Sequence, residues 1–512
     1  MEIPRRTARS VLGLVIAVYV MLGALYATNT PRWQAPDEPA HFNYIAYLAT
    51  ERSFPVLQPG DYPHQYLEEI KAARFPPTMP ITALRYESHQ PPLYYLLGAP
   101  VYLVTSSLSV DSQVLALRLF SVALGAAGLW VLHRMAREAL AGPSNDGADN
   151  QAAFASLVAT AFVAVLPMHI AMTAAINNDV LGELILLIIL WHALRTIRRG
   201  FDLRHAWAMG LLLGLALLTK TTIYLIVAGV LALSVWLAAP RQREQTAAFQ
   251  ARVRYLGRVW LVGSVVAGPW FARNALVYGD LDLLAWQRHD AVVAGQLRTQ
   301  DLLAQLGLPQ FLARFVQTTF RSFWGQFGWM GVLVDERLYL ALAVLSGVVV
   351  FGFAQLVLRL GRGEIRLAES QRRAVWLLVV SAALTLLTYL GYNIKFVQHQ
   401  GRYLFTALGP LAIAVGLSVA ELLRPQVAKL AALLLLLAAL LGALLGALAG
   451  DLPSWTILLL GVAAVWLTLI ALLPGRWRWL PLAGLYTGLL VLNPILIRHF
   501  IVPALSVASA SP

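Results

Sequence analysis

Long apolar blocks with almost no charge recur along this chain, and they leave few folds open to it. A run of about 20 apolar residues crosses a bilayer as a helix, because lipid offers backbone N–H and C=O groups no other partner. Such runs fall at 11–28, 114–137, 152–174, 180–198, 205–219, 221–239, 258–276, 338–358, 374–392, 403–423, 429–449, 455–473 and 480–500. The expectation is an all-α integral membrane protein with about thirteen spans. Composition agrees: 59% of the 512 residues are hydrophobic and 13% are charged. Lys220 and its flanking threonines alone separate the runs 205–219 and 221–239. A basic start leads into the first run with no convincing small-residue cleavage site, so that run reads as a retained helix.

The net charge of +13 belongs to short loops. Basic residues cluster at Arg134 and Arg137, at Arg195–Arg204, at Arg241, Arg243, Arg252, Arg254 and Arg258, at Arg359–Arg373, at Arg424 and Lys429, and at Arg476 and Arg478. They all fall on one side if residues 91–105, an apolar stretch with prolines and tyrosines, lie along the membrane surface instead of crossing it. The positive-inside rule then places the N-terminus in the cytoplasm and the C-terminus outside. Nucleic acid is not needed to explain the charge. Two large outer segments result, 29–113 and 277–337, with interfacial helices expected at 42–49, 91–105 and 311–323. The tail from Ser506 onward reads as a disordered end. There is no cysteine, which excludes thiol chemistry and disulfides. No P-loop, dinucleotide fingerprint or paired-histidine zinc helix is present, so a donor substrate should come from the membrane itself.

The first outer segment holds the densest chemistry, in Trp33-Gln-Ala-Pro-Asp37-Glu38-Pro-Ala-His41. On a helix, His41 shares a face with either carboxylate. Asp37 reads equally as a helix N-cap and as a general base toward a hydroxyl, and one residue can serve both roles. Asn177-Asn178-Asp179 opens the run at 180–198, with Glu183 one turn deeper. An ionisable group there is costly and faces protein or a cavity. Lys220, Arg273 and Arg402 lie at the same expected depth as the carboxylates, and such cations suit a phosphate.

The order of these features resembles the GT-C superfamily of polytopic glycosyltransferases. It is most similar to the branch of protein O-mannosyltransferases and the lipid A aminoarabinose transferase, here as an uncharacterised prokaryotic variant. The likeness rests on Pro36-Asp37-Glu38-Pro39, His89-Gln90-Pro-Pro-Leu-Tyr94-Tyr95, Asp179, Gly214-Leu-Ala-Leu-Leu-Thr-Lys220, Pro269-Trp-Phe-Ala-Arg273-Asn274, Phe323-Trp-Gly-Gln-Phe-Gly-Trp329 and Gln400-Gly-Arg402-Tyr403. It covers most of residues 10–425.

The resemblance implies a catalytic unit over 1–425, followed by C-terminal transmembrane helices over 426–512. It implies inverting transfer of a sugar from a polyprenyl-phosphate donor to a hydroxyl acceptor, outside the plasma membrane of a prokaryote. Asp37, Glu38 and Asp179 would be catalytic. His41, His89, Gln90, Tyr94, Lys220, Arg273, Asn274, His399, Arg402 and Tyr403 would bind substrate. Relatives often carry a lysine where Gln90 stands, so phosphate binding should pass to the other cations. A divalent cation, Mg2+ or Mn2+, is not required; if one is bound, Asp37, Glu38 and His41 are the expected ligands. Two other functions stay open: a flippase or transporter of lipid-linked saccharides, and a polymer ligase with a polyprenyl-diphosphate donor.

Overall fold

The computed structural model describes residues 5–142, 146–238 and 245–506. Arg241, Arg243 and the tail after Ser506 lie outside them. Every apolar run becomes a helix, and the described residues contain no strand, only two isolated bridges, Arg298 with Phe396 and Phe327 with Val332.

In chain order, α1 (Arg5–Asn29) enters the first loop, which folds into α2 (Glu38–Glu51), α3 (His64–Ala72) and α4 (Leu93–Thr105). Next come α5 (Val110–Leu140), α6 (Asp146–Ala164), α7 (Pro167–Thr173), α8 (Asp179–Arg199), α9 (Leu203–Leu217), α10 (Tyr224–Leu237) and α11 (Gln245–Tyr278). The second loop contains α12 (Trp286–Val292) and α13 (Thr299–Trp324). The chain closes with α14 (Glu336–Gly361), α15 (Glu369–Lys395), α16 (Leu408–Leu422), α17 (Pro425–Ala449), α18 (Ser454–Leu472), α19 (Trp479–Leu496) and α20 (Val502–Leu505).

By length and hydropathy, nine helices among the described residues can cross a membrane. A tenth arises if α6 and α7, bent by 65° where Pro167 opens α7, are one broken span. The expected figure of about thirteen is not reached on these measures. α9 and α10 are short, with 15 and 14 residues. The apolar part of α11 is bracketed by Arg258 and Arg273 and interrupted by Pro269. At 13 residues with Pro100 inside, α4 falls well short of the roughly 30 Å hydrocarbon layer. α2 is not a free surface helix: one face is buried against α4.

The main core joins α1, α2, α4 to α10, α15 and α16, and α19 with α20 return to it. There Asn493 accepts from Tyr26 and donates to the Val165 carbonyl. α17 and α18 build a second, smaller core with the inner faces of α14 and α16. Between α9 and α11 the helices touch through small residues, as membrane helices commonly do. A Cβ on Gly214 would lie 2.5 Å from Val266 Cβ, and one on Gly210 would meet Val262 equally closely. This matters for the site, because α9 delivers Lys220 just past its C-terminal end.

Gly214→Leu is expected to push α9 from α11 and cost about 1–3 kcal/mol through overpacking. Thermal unfolding of the detergent-purified variant checks this. An unchanged melting temperature would show that the crossing is looser than these contacts indicate.

Candidate functional site

The first loop is held against the bundle by a buried ion pair. Glu38 is fully buried, and both of its oxygens receive Arg118 of α5, at 2.8 and 2.7 Å. Arg118 spends its other N–H groups on the carbonyls of Ala27, Thr30 and Pro31, which close α1. Glu38 also accepts from the backbone N–H of Trp33 and, across the bundle, of Ile176. It therefore fixes the turn before α2 and the turn before α8 together.

Asp37 directly precedes Glu38 in the left-handed region, φ 67°, which is strained for a residue with a side chain. Its carboxylate does not cap α2, contrary to the N-cap reading; only its backbone carbonyl joins the helix, accepting from His41 N–H at 3.1 Å. The freed carboxylate meets Arg402 at 3.3 Å and accepts from the Tyr86 hydroxyl at 3.1 Å. Arg402 is nearly buried, and its Nε has no hydrogen-bond partner. It also stacks over Tyr403, with 5.2 Å to the ring centre.

A second acid–base pair lies within electrostatic reach of Arg402: Asp179, the first residue of α8, with Lys220 at 2.6 Å. Lys220 also donates to Asn178 Oδ1. Asn178 in turn donates to the Thr219 carbonyl and to the Gln90 side chain. The His89-Gln90-Pro-Pro segment is thereby docked on the α9 end, where Leu93 N–H reaches the Leu218 carbonyl.

Gly401 allows Arg402 this position. Its N–H donates to Ser322 Oγ, and any Cβ there would collide with the α13 backbone at Thr319 and Phe323. A side chain at 401 would move either α13 or the arginine beside it.

Four of the residues singled out in the sequence thus converge: Asp37, Asp179, Lys220 and Arg402, with Tyr403 and Gln90 beside them. Others do not join. Arg273 reaches back to the Pro55 carbonyl at 2.6 Å and stacks on Trp270 and Tyr278, bracing the first loop away from the carboxylates. Asn274 donates to the Leu283 carbonyl. Tyr94 is buried on Ser121. His399 is wedged between Phe311 and Phe315. Glu183 takes a hydrogen bond from His169 inside the bundle.

His41 sits close to the Asp37 carboxylate electrostatically, but its Nδ1 shares a hydrogen bond with Tyr95. Burial lowers its pKa, against the opposing pull of Glu87 and Asp37, and favours the neutral ring. The metal trio of Asp37, Glu38 and His41 does not converge, because Glu38 is saturated by Arg118 and faces the bundle. Among the described residues no three His, Asp or Glu side chains are grouped to hold an ion.

Two neighbours of Asp37 went unread in the sequence, Tyr86 and Glu87. Burial, aided by Asp37, raises the Glu87 pKa, while His41 and Lys220 oppose it. A carboxyl two residues before His89-Gln90-Pro-Pro was the available signal. His89 donates from Nδ1 to the Tyr86 carbonyl and lies 4.7 Å, ring to ring, from His289. Burial holds each of these two imidazoles down to about 4, and each lies outside the apolar spans.

Residues 89–270 match the family model for dolichyl-phosphate-mannose-protein mannosyltransferase. That stretch includes Gln90, Asp179 and Lys220 and omits Asp37 and Arg402. The fold is similar to that of ArnT from Cupriavidus metallidurans bound to undecaprenyl phosphate, with a TM-score of 0.51 and 16% identity over 96% of this chain and 76% of that one. The apo form of the same protein gives 0.51 and 16% over 97% and 77%. The oligosaccharyltransferase of Archaeoglobus fulgidus, tethered with an acceptor peptide, gives 0.44 and 14% over 93% and 55%. No curated protein matches the sequence.

Arg118→Leu should strand Glu38 as a buried, unpaired carboxylate and cost about 3–5 kcal/mol. Thermal unfolding in detergent reads this, and a loss near zero would mean that Glu38 finds water. A pH series gives a second check. A histidine with a depressed folded-state pKa binds its proton first in the unfolded chain, so its contribution is intact above about 6.5 and is lost as pH falls toward about 4. For His89 the loss is on the order of 2–3 kcal/mol. His89→Gln should flatten the stability curve across that window; an equally steep curve would place the acid sensitivity elsewhere.

Proposed function

We propose that this chain, a multi-pass membrane protein of the GT-C fold, is an inverting glycosyltransferase that moves a sugar from a polyprenyl-phosphate donor to a hydroxyl acceptor. One observation carries the reading: the Asp37 carboxylate, unused as a helix cap, faces a buried arginine with an unspent donor, beside a second acid–cation pair. General-base transfer from an anionic lipid donor needs a carboxylate for the proton and fixed cations for the phosphate.

In this mechanism the donor phosphate lies against Arg402 and Lys220. The arriving phosphate competes for Arg402 and releases the Asp37 carboxylate to face the acceptor. The acceptor O–H gives its proton to Asp37 as its oxygen bonds to the anomeric carbon. The bond from that carbon to the phosphate oxygen breaks on the opposite face, and the electron pair leaves with the polyprenyl phosphate. Arg402 and Lys220 stabilise the charge that develops there. Asp179 orients Lys220. Glu38 acts through position alone, and Tyr86 and Tyr403 hold Asp37 and Arg402 in register.

We place the chemistry outside the cytoplasm. Asp179 opens α8, and Arg198 and Arg199 close it, so the carboxylates stand at the end away from the arginine-rich loops. The catalytic unit is assigned to residues 1–425, and residues 426–512 support it. No step needs a divalent cation.

The test is transfer by the purified protein in lipid, supplied with a panel of labelled polyprenyl-phosphate sugars. Asp37→Asn is expected to lower turnover about 10²–10⁴-fold while donor binding persists. Arg402→Gln should weaken both binding and turnover. Full turnover by Asp37→Asn would sink the base assignment, and movement of lipid-linked sugar across liposomes without transfer would turn the reading to a flippase.

A further inference from the structure

A groove of about 500 Å³, lined by polar and apolar side chains, runs along α13, within the usual size of ligand sites. The helix has three distinct faces. Phe315, Thr319 and Ser322 pack on the bundle, where Thr319 meets Tyr389 and Ser322 meets Gly401. Leu312 and Val316 are exposed, as a lipid-facing strip would be. Gln310, Arg314, Gln317 and Arg321, spaced by three and four residues, share the remaining face and line the groove.

Two groups in the groove lack partners. Arg314 is exposed and has no ion pair among the described residues, whereas Arg321 is taken by Glu336. Gln326, on the loop after α13, is only 9% exposed. Its Nε2 donates to the Met330 carbonyl, but its buried Oε1 has no partner. A buried carbonyl oxygen left bare is costly, so a donor from outside is its natural complement. A simple anion would satisfy Arg314 and offer nothing to Gln326. A hydroxylated anion satisfies both.

The walls of the groove connect it to segments on both sides of the site. Its far wall is the loop whose Trp329 donates to the Trp33 carbonyl, four residues before Asp37. The opposite face of α13 seats Gly401, next to Arg402.

We infer that this groove binds the acceptor, and that the acceptor is an anionic, hydroxyl-rich saccharide whose acid group pairs with Arg314 and whose hydroxyl donates to Gln326. The inference rests on the glycosyl-transfer reading for the word acceptor; the binding site itself does not depend on it. The same chemistry can arrive on a soluble glycan or on a lipid-borne one.

The experiment uses the full chain in neutral-lipid nanodiscs and two pairs of probes. One pair is a soluble oligosaccharide containing uronic acid and its carboxyl-reduced counterpart. The other is a glycolipid with a uronate headgroup, placed in the disc, and its neutral counterpart. At least one acidic probe is expected to bind about tenfold tighter than its neutral partner, the scale of one hydrogen bond to a charged group. Arg314→Gln should abolish that preference, and Arg314→Lys should keep part of it. Gln326→Leu should weaken the acidic and the neutral member of that pair alike. Binding confined to the glycolipid pair identifies a membrane-anchored acceptor, and binding of the soluble pair a free glycan. Equal affinity for acidic and neutral probes in both pairs, or a preference that survives Arg314→Gln, overturns the inference. These affinities are read without donor or turnover, so a failure of the groove and a failure of the transfer mechanism give different results.

Discussion

The Glu38–Arg118 pair is the contact on which the rest of the site depends. Two charges are removed from water, a cost that only complete pairing offsets. Pairing here is complete: all five guanidinium N–H groups find oxygen, three of them the carbonyls that end α1. Glu38 in turn collects two backbone N–H groups from separate turns. One turn carries Asp37 and the other leads into Asp179. The separation between the two candidate carboxylates is therefore set by a third carboxylate that meets neither.

The arrangement divides labour between neighbours in sequence. Glu38 faces inward and is saturated, so it holds geometry. Asp37 faces the other way, its backbone turned into the left-handed region, so its carboxylate stays free of the helix it precedes. Gly401 makes a similar trade on the opposite wall, giving up a side chain so that Arg402 can come up against α13. Arg402 and Lys220 are held in place by their neighbours, and fixed cations of this kind are the condition for electrostatic stabilisation of a transition state in the proposed mechanism.

Much of this was legible in the amino-acid order. Apolar runs located the helices because hydropathy and length are enough for that. Near 205–239 they do not fix the number of crossings, since hydropathy cannot tell a full crossing from a short helix broken at Lys220. Depth along a span brought together Asp179, Lys220 and Arg402, which stand at helix ends. Depth failed for Arg273, because it says nothing of the direction in which a side chain leaves its helix; this one turns back to Pro55. The adjacent carboxylates 37 and 38 looked alike in sequence, and only the position of Arg118, 80 residues on, separates them. Tyr86 and Glu87 were missed because the loop around them has no period to read.

The Asp37–Arg402 contact spans 365 residues of chain. At ribosomal rates of about 5–20 residues per second, the arginine follows the aspartate by roughly 20–70 seconds. Throughout that interval the first loop can answer Asp37 only with the Tyr86 hydroxyl and solvent. Arg118 arrives early and Arg402 late, so the loop is anchored long before Asp37 meets its arginine. Assembly of this protein thus passes through a stage with a finished scaffold and an open, uncompensated acid. The last third of the chain completes the charge pairing of the first loop as well as the packing of the bundle.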